Sequence, residues 1–150
     1  MSKFLEKYLP PVLGVLVGIL VWKYNIMPFE ECKDLLRQFP PIGSSVFGFV
    51  LTMFSLIIQS NSDAIIRMRQ RTVPFNRLVA YNKIVVLFSL VFTFLCYFFG
   101  YFEIPTCSFF DINKFVVSCF CGALIVYILL VIYFLLFFYI LISENNDKSE

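Results

Sequence analysis

Four stretches of the chain, residues 8–24, 42–59, 84–102 and 115–142, are almost unbroken runs of apolar residues, and the charged residues collect between and beyond them. Only Lys23, at the edge of the first run, carries a charge within any of the four. At a 1.5 Å rise per residue, ~20 helical residues cross a ~30 Å hydrocarbon core, so each run is near or above a membrane-crossing length. Backbone groups in lipid have no water to bond, so long continuous runs predict helices, whereas barrel strands would show short alternation. The expected fold is an all-α integral membrane protein. Residues 1–150 form one domain of four transmembrane helices, the second continuing into the cytoplasm over 60–71, which contains no Gly or Pro.

Composition sharpens this reading. The chain is 60% hydrophobic, 19% aromatic and 15% charged, more apolar surface than a soluble domain of 150 residues hides. Lys3 and Lys7 ahead of the first run are reminiscent of a signal peptide, but Pro10 and Pro11 lie at its start and no small-x-small cleavage site follows Val21 and Trp22. The first run is therefore read as a span, closed by the interfacial aromatics Trp22 and Tyr24. Gly14 and Gly18 have the small-xxx-small spacing that lets two helices approach closely. Between the first two spans, a short surface helix is expected around 28–39, ended by Pro40 and Pro41.

Charge orients the bundle. The segment between the second and third runs holds Arg67, Arg69, Arg71, Arg77 and Lys83 against Asp63, while the other two connections are balanced or acidic. Cations in short loops stay on the cytoplasmic side, so this segment and both termini are expected inside. The same basic residues are candidates for contact with anionic lipid or a cytoplasmic partner.

The chain has no His, no ionisable residue deep in a run, no Gly-rich phosphate loop and no metal-ligand cluster. Catalysis, coupled proton transport, a cofactor and direct nucleic-acid binding are accordingly not expected. The most organised polar feature is in the second run, where Ser45, Gly48, Thr52, Ser55 and Gln59 follow steps of 3, 4, 3 and 4 and fall on one helix face. Such a stripe either packs against another helix or lines a narrow uncharged pore between protomers. A shorter relative in the third run comprises Ser89, Thr93, Cys96 or Tyr97, and Gly100. Of the five cysteines, Cys32 and Cys107 fall in the two outer segments and are a candidate disulfide, whereas Cys119 and Cys121 read as packed small residues.

Gly43-Ser44-Ser45-Val46-Phe47-Gly48, then Gln59-Ser60-Asn61-Ser62, then Arg67, Arg69 and Arg71, and a third span led by Tyr81 together resemble the layout of the RexB family. Those are small four-span proteins of prophage exclusion systems. The layout is also similar to the membrane subunit of Kiwa defence systems and to the small multi-span accessory of type VI CRISPR loci. The resemblance covers roughly 42–102, and the Phe-rich fourth span and acidic tail depart from it. It implies a bacterial inner-membrane protein of an anti-phage locus, acting as a channel, a depolarising effector or a membrane-side sensor. Three functions compete: an oligomeric pore or membrane-perturbing effector, a non-conducting anchor or sensor recruiting a partner through 63–83, and a holin-like or small transport protein.

Orientation is the most direct expectation. A reporter fused after Glu150 should read cytoplasmic, and a thiol introduced by Asn76→Cys should be protected from an impermeant reagent added to intact spheroplasts. Labelling of that thiol from outside contradicts the assignment.

Overall fold

The computed structural model describes residues 3–59, 66, 72–102 and 111–146. These form four helices: α1 (Lys3–Tyr24), α2 (Phe29–Gln59), α3 (Thr72–Tyr101) and α4 (Ile112–Asn146). No strand occurs among the described residues. α2, α3 and α4 contain stretches long and apolar enough to cross a membrane, Phe29–Leu56, Asn76–Tyr101 and Ile112–Tyr139, and α1 contributes the shorter apolar stretch Tyr8–Tyr24. Large apolar side chains are exposed on the outward faces, among them Val15, Ile19, Leu87, Leu90, Phe94 and Leu135.

Local signals fix the helix ends. α1 stops at Asn25, whose φ of 49° is the left-handed conformation that closes a helix and that Asn tolerates, and whose N–H donates to the Val21 carbonyl at 2.9 Å. α4 starts behind Asp111, whose Oδ1 accepts from the Lys114 N–H at 3.2 Å as an N-cap. Pro74 falls in the first turn of α3, where a missing N–H costs little. The expected cytoplasmic extension of the second helix over 60–71 lies outside the described residues, apart from Ile66.

One expectation is corrected. Pro40 and Pro41 do not end a surface helix: they sit inside α2, which is continuous from Phe29 to Gln59. Each proline removes an N–H from the helix ladder, but packing on both sides of the pair holds the helix together. Before it, Cys32 and Leu36 are buried, and the Arg37 Nε donates to the Gly100 carbonyl of α3 at 2.9 Å. After it, Gly43 lies directly against Thr93 of α3. At 31 residues, α2 is ~46 Å long and exceeds the hydrocarbon thickness. Its charged residues, Glu30, Glu31, Lys33, Asp34 and Arg37, all fall in the first turns.

The helices assemble as two antiparallel pairs, α1 with α4 and α2 with α3, joined where α3 meets α4. Glycine makes the first pair. A Cβ at Gly122 would lie 2.6 Å from the Gly14 carbonyl oxygen, one at Gly14 would lie 2.8 Å from the Gly122 oxygen and strike Val126, and one at Gly18 would lie 3.2 Å from the Ser118 oxygen. The backbones touch along Gly14-xxx-Gly18 and Ser118-xxx-Gly122, so the spacing seen in the sequence is a helix contact. Phe92 of α3 joins the pairs: its ring centroid lies 4.8 Å from Phe39 of α2, and 5.9 Å and 5.7 Å from Phe120 and Tyr127 of α4. Beside it, the buried Ser89 hydroxyl donates to the Tyr127 oxygen at 3.4 Å. A second cluster, Val50, Leu78, Val85, Leu130 and Phe134, fills the other end of the bundle.

Gly122→Leu should therefore lower protomer stability by ~1–3 kcal/mol, since backbone on the facing helix cannot yield. Gly48→Ala, where an added Cβ meets nothing within 4 Å, should leave stability unchanged or slightly raised. Denaturant titration in mild detergent measures both, and equal stability of the two variants contradicts the packing described.

Candidate functional site

The exposed face of α2 is where polarity and apolar surroundings conflict. Ser45, Gly48, Thr52, Ser55 and Gln59 are all exposed, while Val50 on the far side of the helix is buried against α3 and α4. The stripe thus points away from the other three helices. Several of its polar groups bond within α2 itself. Ser45 Oγ donates to the Pro41 carbonyl at 2.8 Å and Ser44 Oγ to the same oxygen at 3.1 Å. Thr52 Oγ1 donates to the Gly48 carbonyl at 2.8 Å, and Gln59 Nε2 to Ser55 Oγ at 3.3 Å. Hydroxyls that fold back onto carbonyls three or four residues earlier lower the cost of placing them in an apolar medium. They leave a smooth, uncharged and weakly polar surface, widest at Gly48, beside which space is open.

The related stripe of α3 behaves in the opposite way. Ser89 is bonded to Tyr127, Cys96 is buried, Thr93 meets Gly43, and Gly100 packs on the backbone of Leu36 and Arg37, where a Cβ would find atoms at 3.1–3.2 Å. Those residues form a packing seam inside the protomer. Tyr97, the alternative member, is exposed and lies 4.9 Å ring to ring from Tyr101. The two stripes look alike in sequence, and only the helix partner distinguishes them.

The basic candidates are dispersed. Arg67, Arg69 and Arg71 lie outside the described residues. Arg77 is half-buried with its guanidinium 5.5 Å from the Phe137 ring of α4, so this cation is engaged within the bundle. Lys83 is exposed. Cys32 is not on an outer loop: it is a free, fully buried thiol in the first turn of α2, within the same apolar cluster as Cys96 and Cys121. Its proposed bridge partner Cys107 lies outside the described residues. Among the described residues, no group of His, Cys, Asp or Glu is arranged to hold a metal ion.

One feature escaped the sequence reading. A groove of about 680 Å³ runs between α1 and α4, lined by apolar side chains and by Ser118. Gly14-xxx-Gly18 and Ser118-xxx-Gly122 mark its two walls in the sequence, but their pairing emerges only from the fold. No family model matches the chain, and neither a curated protein nor a solved structure matches it.

Proposed function

We propose that this protein crosses a bacterial inner membrane four times with both termini in the cytoplasm, and that it assembles into a homo-oligomer, a tetramer or close to it. In that assembly α2 turns Ser45, Gly48, Thr52, Ser55 and Gln59 onto a common axis, forming a narrow uncharged pore. On the resemblance described above, the pore serves as an effector or accessory of an anti-phage locus, where its opening depolarises the infected cell.

The observation that carries this reading is the exposed stripe on α2. Other small or polar residues among those described are engaged in packing within the protomer, at Gly14 against Gly122, at Thr93 against Gly43 and at Ser89 against Tyr127. The interior of the protomer is filled by rings and branched side chains, among them Phe92, Phe134, Val50 and Leu130, so a conducting path has to lie between protomers. Small residues on an outward face let copies approach closely, and hydroxyls already bonded to their own helix keep such an axis wettable without charge. A pore of this kind is controlled by diameter and dewetting rather than by a charged filter.

Thr52→Leu and Ser55→Leu test it. Both positions are exposed on the protomer, so folding should be retained while apolar bulk narrows and dries the axis. Single-channel conductance in planar bilayers should fall by an order of magnitude or more, with the cross-linked oligomer ladder unchanged. Only monomers, in native mass measurement and in-membrane cross-linking of the unsubstituted protein, would contradict the pore.

A further inference from the structure

The groove between α1 and α4 has the dimensions of one membrane leaflet. Gly14 faces Gly122 and Gly18 faces Ser118, so the two helices run antiparallel with a register that brings residue 22 opposite residue 114. The lining extends from Pro11 to Trp22 on α1 and from Phe115 to Val126 on α4, with Phe88 of α3 also in the wall. Eleven helical steps rise ~17 Å, close to half of a ~30 Å hydrocarbon core. The groove therefore reaches from the Trp22 end of the bundle to about mid-membrane. Small residues line it: Gly14, Gly18 and Gly122, where the two backbones meet, and Ala123.

Its chemistry is ordered along its length. The deep part is apolar. Near the mouth, Ser118 is 7% exposed and its hydroxyl oxygen has no hydrogen-bond partner, an unfavourable state in a medium without water. A serine hydroxyl swings between staggered positions by rotation about χ1, so this donor can turn to an acceptor lying in the groove it lines. One turn above it stands Lys114, and across the same end of the helix pair stands Lys23, 5.7 Å above the Tyr24 ring. Asp111, the nearby acid, is occupied as the N-cap of α4. Two cations, then a hydroxyl donor, then an apolar slot is the sequence in which a phospholipid presents its phosphate, its ester carbonyl and its acyl chain.

We propose that this groove is a phospholipid site: one acyl chain fills the slot, Ser118 donates to the ester carbonyl, and Lys23 and Lys114 hold the phosphate of an anionic head group. The site rests on α1 and α4 both lying in the bilayer, as in the reading above, but not on the pore. The charge at the Lys23 and Lys114 end favours an anionic lipid over the apolar face of a second copy as the occupant.

The test is photolabelling of the full-length protein, in vesicles of phosphatidylcholine doped with phosphatidylglycerol bearing a diazirine at mid-chain. Cross-links should concentrate on groove residues of α1 and α4. Filling the slot with Val15→Trp or Cys119→Trp, both exposed positions, should reduce groove labelling at least fivefold. Lys23→Gln with Lys114→Gln should abolish the preference for the phosphatidylglycerol probe over its phosphatidylcholine counterpart while leaving chain labelling in place. Inorganic phosphate should not compete. Labelling spread evenly over lipid-facing residues such as Leu16, Leu20 and Phe94, without enrichment in the groove, overturns the site while leaving the membrane reading intact. Absence of labelling from α1 altogether overturns both. Oligomer size, read by native mass measurement on the same sample, reports on the pore separately.

Discussion

Lipid gives two apolar helices no reward for hiding their side chains from it, and every contact in this bundle answers to that constraint. What remains is shape, hydrogen bonding and aromatic geometry. The approach of α1 to α4 at Gly14 and Gly122 is the clearest instance, because the backbones meet with no room for a Cβ on either side. α2 and α3 use the same device at Gly43 and Gly100, and Phe92 binds the two pairs through three ring contacts supported by the Ser89–Tyr127 hydrogen bond.

The same constraint gives the unfilled surfaces their meaning. In a soluble protein a row of Ser, Gly and Thr on the outside of a helix is ordinary solvated surface. In a bilayer it gains little from the surrounding chains and presents low, smooth relief to another helix. α2 carries such a row along its outer face, with the hydroxyls bonded inward to its own carbonyls. The α1–α4 groove is the complementary case, a depression along the line where the two backbones meet that the protomer itself does not fill. Both surfaces are lined by small residues.

Helix content was legible because the apolar runs are long and Lys23 is the only charge in them. Runs 42–59, 84–102 and 115–142 lie within α2, α3 and α4 apart from Phe102, one residue beyond α3, and 8–24 lies within α1. The boundary at Pro40 and Pro41 was misread because proline reports only local cost. Arg37 to Gly100, and Phe39 to Phe92 of α3 and Tyr127 of α4, are contacts across more than 50 residues, and no local rule weighs them. The Gly14-xxx-Gly18 spacing foretold a contact without naming α4 as its partner. The stripes of α2 and α3 were indistinguishable in sequence, since a 3,4 spacing of small residues is the same whether the face is covered or bare. The same local reading of Pro40 and Pro41 leaves Cys32 on a separate surface helix, whereas the continuous helix carries it into the core.

The central claim is that the polar face of α2 meets water on an axis between protomers. Cysteine accessibility along α2 measures that directly. Ser45, Val46, Gly48, Val50, Thr52 and Ser55 are each replaced by cysteine, and the variants, reconstituted in vesicles, are exposed to a small charged methanethiosulfonate, which reacts with the thiolate that a cysteine forms where water reaches it. The account predicts reaction at 45, 48, 52 and 55 and protection at 46 and 50, a helical pattern with one wet face. Protection at all six positions would place the stripe in lipid or in a dry seam and contradict the account.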